Sequence, residues 1–143
     1  MKGKGSLLGK GLILAVALVF CMTTAAVAAD TIRIGVASPF TGDLAGYGDN
    51  IKAGVSLKLK EINGAGGING KKVELVWGDD LCQPKEAGTV ASKFANDKSI
   101  VAVIGHLCSS ATLAGMPIYV RAKMPVISPT STNPTIGEVG KGW

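Results

Sequence analysis

Residues 101–133, VAVIGHLCSSATLAGMPIYVRAKMPVISPTSTN, decide the fold. Two short apolar runs, 101–104 and 126–127, each give way to small and hydroxylated residues. Gly105, Ser109 and Ser110 follow the first, and Ser128, Thr130, Ser131 and Thr132 follow the second. The span between them suits a helix of about three turns. A strand, a helix and a strand form a βαβ unit, so the two strands are expected to be parallel. In open parallel sheets, ligands sit just beyond the carboxyl ends of the strands. The clustered hydroxyls fall at those ends, and the stretch is read as one wall of a small-molecule pocket.

The same alternation extends toward the N-terminus. Residues 31–37 (TIRIGVA) alternate as a first strand. Residues 38–50 hold three Gly and one Pro and read as a loop, with Asp49 or Asn50 capping the next helix. That helix carries Ile51, Val55, Leu59 and Ile62 at helical spacing and is expected to end in a left-handed cap at Asn63-Gly64. Residues 64–72 are glycine-rich, with a turn at Asn69-Gly70, and belong on the face opposite the pocket. The glycine spacing fits no phosphate-binding motif, and the segment follows a helix rather than a strand, so a nucleotide loop is disfavoured.

Residues 73–77 (VELVW) form the second strand, which ends at Gly78, Asp79 and Asp80. Paired acids could hold a metal, but the sequence offers no third ligand close by, and a solvated capping turn is the preferred reading. Pro84 suits the first turn of a second helix, whose apolar face is Ala87, Val90, Ala91 and Phe94. The third strand is 101–104. The third helix, 110–122, contains Pro117, which is expected to kink or divide it. The fourth strand is 125–128, and 133–143 carries a turn with no full fourth helix. The order β-α-β-α-β-α-β implies an α/β fold with a doubly wound parallel sheet. His106 reads as structural, because no nucleophile–base–acid set accompanies it. Ser109 lies outside any nucleophile-elbow sequence, so a serine hydrolase is disfavoured and no enzyme is expected.

The first residues belong to a different kind of segment. Lys2, Lys4 and Lys10 form a basic head, 12–20 is an apolar run too short to span a bilayer, and Ala26-Val27-Ala28 is a small-x-small site. Residues 1–28 are read as a secretory signal peptide cleaved after Ala28 or Ala29, leaving 29–143 as the mature part. Cys21 follows Phe20, where a lipid-attachment signal wants a small residue, so a lipid anchor is disfavoured. Loss of three Lys lowers the formal charge from +5 to about +2. No basic cluster with interleaved aromatics remains, which excludes a nucleic-acid footprint. Cys82 and Cys108 remain, and an even count in an oxidising compartment favours a disulfide. Two Cys and one His at these spacings do not make a zinc site. No metal or other cofactor is expected.

Three motifs carry a resemblance. PFTGDLAGYG (39–48), EINGAGGINGKKVELVWGDD (61–80) and IGHLCSS (104–110) together resemble the amino-terminal lobe of the periplasmic leucine/isoleucine/valine-binding proteins of ABC importers. The resemblance covers essentially all of 29–143. It implies a type I periplasmic binding protein lobe that captures branched-chain aliphatic amino acids in the periplasm. The implied partner is the importer's permease, and the chain meets the membrane only through it. Ser109 matches the residue whose hydroxyl and amide hold the ligand carboxylate. Thr132 matches a second hydroxyl on the carboxylate or ammonium, and Thr130 a backbone carbonyl on the ammonium. Tyr47 matches an aromatic beside the ligand side chain, and Cys82 and Cys108 match the family's disulfide. Family members close two lobes around the ligand through a hinge. This chain stops at Trp143, before the hinge, and is expected to be one lobe that alone binds leucine weakly or not at all. The rival readings are a binding lobe for amides, urea or another small polar solute, and a small secreted α/β enzyme.

Overall fold

The computed structural model describes residues 31–141. The expected signal peptide lies outside the described residues. Four strands form one parallel sheet: β1 (Ile32–Ser38), β2 (Val73–Asp79), β3 (Ile100–Ile104) and β4 (Val126–Ile127), in the order β2-β1-β3-β4. The helices α1 (Ala45–Gly64), α2 (Pro84–Asn96) and α3 (Ser109–Ala122) connect them, and a short α4 (Thr135–Val139) follows. Successive crossovers move in opposite directions from β1, so the helices fall on both faces of the sheet. The α/β, doubly wound reading is therefore what the structure shows.

The two faces are packed unequally. Phe94 and Val90 of α2 lie against the sheet. With Ala37, Ala91, Ile100, Val103, Tyr119 and Met124 they form the buried core, on the side covered by α2 and α3. Pro84 opens α2, and Ala87, Val90, Ala91 and Phe94 are buried as their spacing predicts. On the other face, Val55, Leu59 and Ile62 of α1 stay half-buried and line an apolar groove of about 240 Å³ with Ile34, Leu75 and Ile104.

Four local expectations need correction. The loop read at 38–50 is partly helix: α1 starts at Ala45, after Leu44, with no side-chain cap. Asp49 and Asn50 are therefore inside the helix. Gly48 does not signal a loop. A Cβ there would lie 2.1 Å from the Pro39 carbonyl oxygen, so its absence lets the first turn of α1 press onto the chain leaving β1. At the other end, α1 closes through Ala65 at φ −80°, and the left-handed residues come later, at Gly66 and Gly67. Asn63 is occupied elsewhere: its side chain accepts from the Val73 N–H at 2.8 Å and donates to the Val73 carbonyl at 2.9 Å, aligning the start of β2. Pro117 does not break α3, which runs unbroken for 14 residues with Pro117 on its exposed side, where water can satisfy the carbonyl left unpaired one turn earlier. The fourth strand is shorter than expected, because only two residues pair with β3.

Candidate functional site

Strands β1 and β3 are neighbours whose chains leave toward opposite edges of the sheet. Their carboxyl ends form the switch point at which such sheets bind ligands. Asp79, the last residue of β2, organises the first loop over this point. Its carboxylate accepts from the Phe40 N–H at 2.9 Å, the Thr41 hydroxyl at 2.5 Å and the Leu81 N–H at 3.2 Å. Partial burial pushes this carboxyl up, but the Thr41 hydroxyl and the amides of Leu81, Phe40 and Thr41 together outweigh that and hold it below its ordinary 3.8. The capping reading of Asp79 agrees with this geometry.

Asp80 overturns the solvated-turn reading. It is completely buried, as is His106. One carboxylate oxygen accepts from the Cys82 N–H at 2.9 Å, and the other lies 2.6 Å from His106 Nδ1. His106 Nε2 lies 3.1 Å from the hydroxyl of buried Tyr119 on α3. A carboxylate only accepts, so Nδ1 carries the proton and Nε2 accepts from the Tyr119 O–H. Burial, and then the Asp80 charge, raise the Tyr119 hydroxyl well above its ordinary 10.0, so it stays a donor.

His106 also holds the next layer of the site. Gly105 precedes it at φ +135°, where a Cβ would lie 2.2 Å from the Ala37 carbonyl oxygen, so only Gly fits. The His106 carbonyl lies within hydrogen-bond reach of the hydroxyls of Ser128 (2.7 Å), Ser131 (3.2 Å) and Thr112 (3.3 Å). The Thr130 hydroxyl donates to the Leu107 carbonyl at 2.7 Å. These bonds tie the loop after β4 to the loop after β3. The Cys82–Cys108 disulfide, with Cα atoms 5.5 Å apart, ties the loop after β2 to it as well.

Ser109 follows Cys108 as the first residue of α3. Its Oγ does not cap the helix. It accepts from the Thr132 N–H at 3.2 Å and the Asn133 N–H at 3.3 Å, which leaves its own proton free to donate. The first-turn amides of α3 have no intrahelical acceptor, and they carry the positive end of the helix dipole. The structure thus brings Ser109, Thr130 and Thr132 together. Thr132 is exposed, and the Thr130 hydroxyl is engaged with the Leu107 carbonyl. Tyr47 stands apart on the first turn of α1, 60% exposed. An open cleft of about 430 Å³ adjoins the group, lined by residues 42–44, 81–83 and Cys108. Sequence reasoning missed Asp80 and the joint role of Thr112, Ser128 and Ser131. The available signal was a single His in an apolar setting, which needs buried partners.

A family model described as periplasmic binding protein matches residues 31–143. The chain belongs to the periplasmic binding protein family. A leucine-, isoleucine-, valine-, threonine- and alanine-binding protein of Pseudomonas aeruginosa is 45% identical over 113 residues, covering 79% of this chain and 30% of that protein. An amino acid binding protein of the same organism is 43% identical over 132 residues, covering 92% of this chain and 35% of that one. Among solved structures, the branched-chain amino acid transporter substrate-binding protein of Streptococcus pneumoniae, in complex with isoleucine, superposes with a TM-score of 0.72. It is 36% identical and covers 76% of this chain and 31% of its own. The fold is that of type I periplasmic binding proteins. The chain spans about a third of the length of the curated relatives it matches. Those relatives are named as binding proteins, not enzymes.

Proposed function

We propose that residues 29–143 form one wall of the cleft of a periplasmic protein that captures branched-chain aliphatic amino acids for an ABC importer. The observation that carries this reading is the group at the switch point: the Ser109 hydroxyl and the first-turn amides of α3 beside Thr132. An amino-acid zwitterion needs donors at one end and acceptors at the other, because a desolvated charge without hydrogen bonds is costly. Ser109 and the α3 amides supply donors for the carboxylate. The Thr132 hydroxyl joins them or turns to the ammonium, and the Thr130 carbonyl accepts from the ammonium. Tyr47, exposed on α1, packs beside the aliphatic side chain when the second wall closes. The names of the relatives support this ligand class. Export through a signal peptide cleaved after Ala28 or Ala29 supplies the compartment, and the importer's permease is the partner.

Calorimetric titration with leucine, isoleucine and valine tests the reading in the full-length protein, meaning the longer, two-walled protein of which this reading makes residues 29–143 a part. We expect saturable binding with Kd near or below about 1 μM, weakened at least about tenfold by Ser109→Ala, a loss of about 1.4 kcal/mol. Residues 29–143 alone, offering a single wall, are expected to bind with Kd above about 10 μM. Absence of saturable heat with every aliphatic amino acid in the full-length protein sinks the proposal, and heat with amides or urea instead redirects it. The intact mass of the exported protein reads the cleavage point, and retention of residues 1–28 contradicts the signal.

A further inference from the structure

The chain of contacts from Asp80 through His106 to Tyr119 lies beneath the candidate site and touches no ligand in the reading above. Its burial calls for an explanation. A buried carboxylate and a buried imidazole both lose hydration, and well-packed apolar residues of the same volume often hold a fold equally well or better. Stability alone is therefore a weak reason for placing a carboxylate and an imidazole, both completely buried, in this core.

The geometry supplies a different reason. His106 is where three other segments meet: Asp80 after β2 grips Nδ1, Tyr119 from α3 grips Nε2, and the carbonyl takes hydroxyls from the loop after β4 and from Thr112, also of α3. Asp80 also orients Cys82, whose disulfide partner Cys108 immediately precedes Ser109. The segment from His106 to Cys108 is thus held at both ends by groups that answer to one carboxylate. We propose that Asp80, His106 and Tyr119 are the positioning network of the ligand loop. By fixing the imidazole they aim the His106 and Leu107 carbonyls. Those carbonyls draw in Ser128, Thr130 and Ser131, and so set the separation between Ser109 and Thr132. The inference rests on the amino-acid reading for its ligand, but its geometric content does not.

Two isosteres of His106 separate positioning from bulk packing. An Asn amide reaches the place of Nδ1 and keeps the bond to Asp80, whereas a Gln amide reaches the place of Nε2 and leaves the Asp80 carboxylate with only the Cys82 N–H. In the full-length protein, titrated with leucine at a temperature where each variant is fully folded, we expect His106→Gln to raise Kd at least about tenfold. His106→Asn should stay within about threefold of wild type. A merely structural role predicts equal effects, so equal weakening by the two variants, or no weakening by His106→Gln, overturns the proposal. Amide hydrogen exchange of the unliganded protein gives a readout that needs no ligand. Residues 107–109 should exchange at least about tenfold faster in His106→Gln than in wild type. If wild type binds no amino acid, the ligand reading fails and exchange still decides the network. If His106→Gln does not fold, Tyr119→Phe decides in its place: it keeps the ring and removes the donor to Nε2. It should quicken exchange at residues 106–109, and unchanged exchange there overturns the proposal.

Discussion

Asp79 shows how one side chain can shape a binding loop and report on it. Three donors from the loop after β1 and from the turn after β2 converge on its carboxylate, which is held below its ordinary value. A carboxyl lowered in the folded state contributes stability above its unfolded pKa, near 3.8, and that stability disappears as pH falls through the folded value. Asp97, lowered by the Ser99 hydroxyl and amide and by Arg33, acts in the same direction from the exposed surface. The stability that these two carboxyls contribute is therefore expected to be lost as pH falls below about 4. Thr41→Val removes one donor and should move the Asp79 pKa upward in an NMR titration. An unmoved Asp79 resonance would show that the backbone amides suffice. Sequence reasoning reached Asp79 as a capping residue because strand ends need caps. It could not separate Asp79 from its neighbour Asp80, since which of two adjacent acids turns inward depends on what the sheet brings opposite it.

At the scale of the element, α3 has to satisfy two demands at once. Its start presents Ser109 to the site, and its middle makes room for the imidazole and the Tyr119 ring. Gly115 provides that room: a Cβ there would lie 2.9 Å from His106 Nε2 and 3.0 Å from Tyr119 Cε2. Gly115→Ala should raise helix propensity by about 1 kcal/mol, while crowding of a packed interior costs about 1–3 kcal/mol. We expect a lower melting temperature, read by thermal circular dichroism. A higher one would mean that His106 moves aside without cost. Pro117 and Gly48 carry a related lesson. Both suggest a break when read locally, yet both lie inside helices, Pro117 because it faces solvent and Gly48 because a close approach to Pro39 requires it.

For the whole molecule, the ties between loops matter more than any single one. The disulfide closes a sequence separation of 26 residues, from the end of β2 across α2 and β3 to the start of α3. In the chain-entropy account, a loop of this length contributes about 3.5 kcal/mol. Replacing both Cys82 and Cys108 by Ala should lower urea-unfolding stability by roughly that amount, and a loss below about 1 kcal/mol would show that Asp80 and His106 already hold the loops. The two faces of the sheet also differ. The α2–α3 side is closed, and the α1 side keeps an apolar groove beneath half-buried Val55, Leu59 and Ile62.

The order of strands and helices, their parallel pairing, the buried face of α2 and the place of the hydroxyl cluster were all legible in the sequence. These follow from local periodicity and from the short connections that a βαβ crossover demands. The motifs of 39–48, 61–80 and 104–110 also pointed to the family. Tertiary structure alone decided that Asp80 is buried against His106, that Ser109 receives the Thr132 amide rather than capping its helix, and that Gly48 belongs to α1. Each of these depends on atoms between 9 and 26 residues away in sequence. Periodicity carries no information at such separations, and only the folded sheet brings the partners within hydrogen-bond or contact distance.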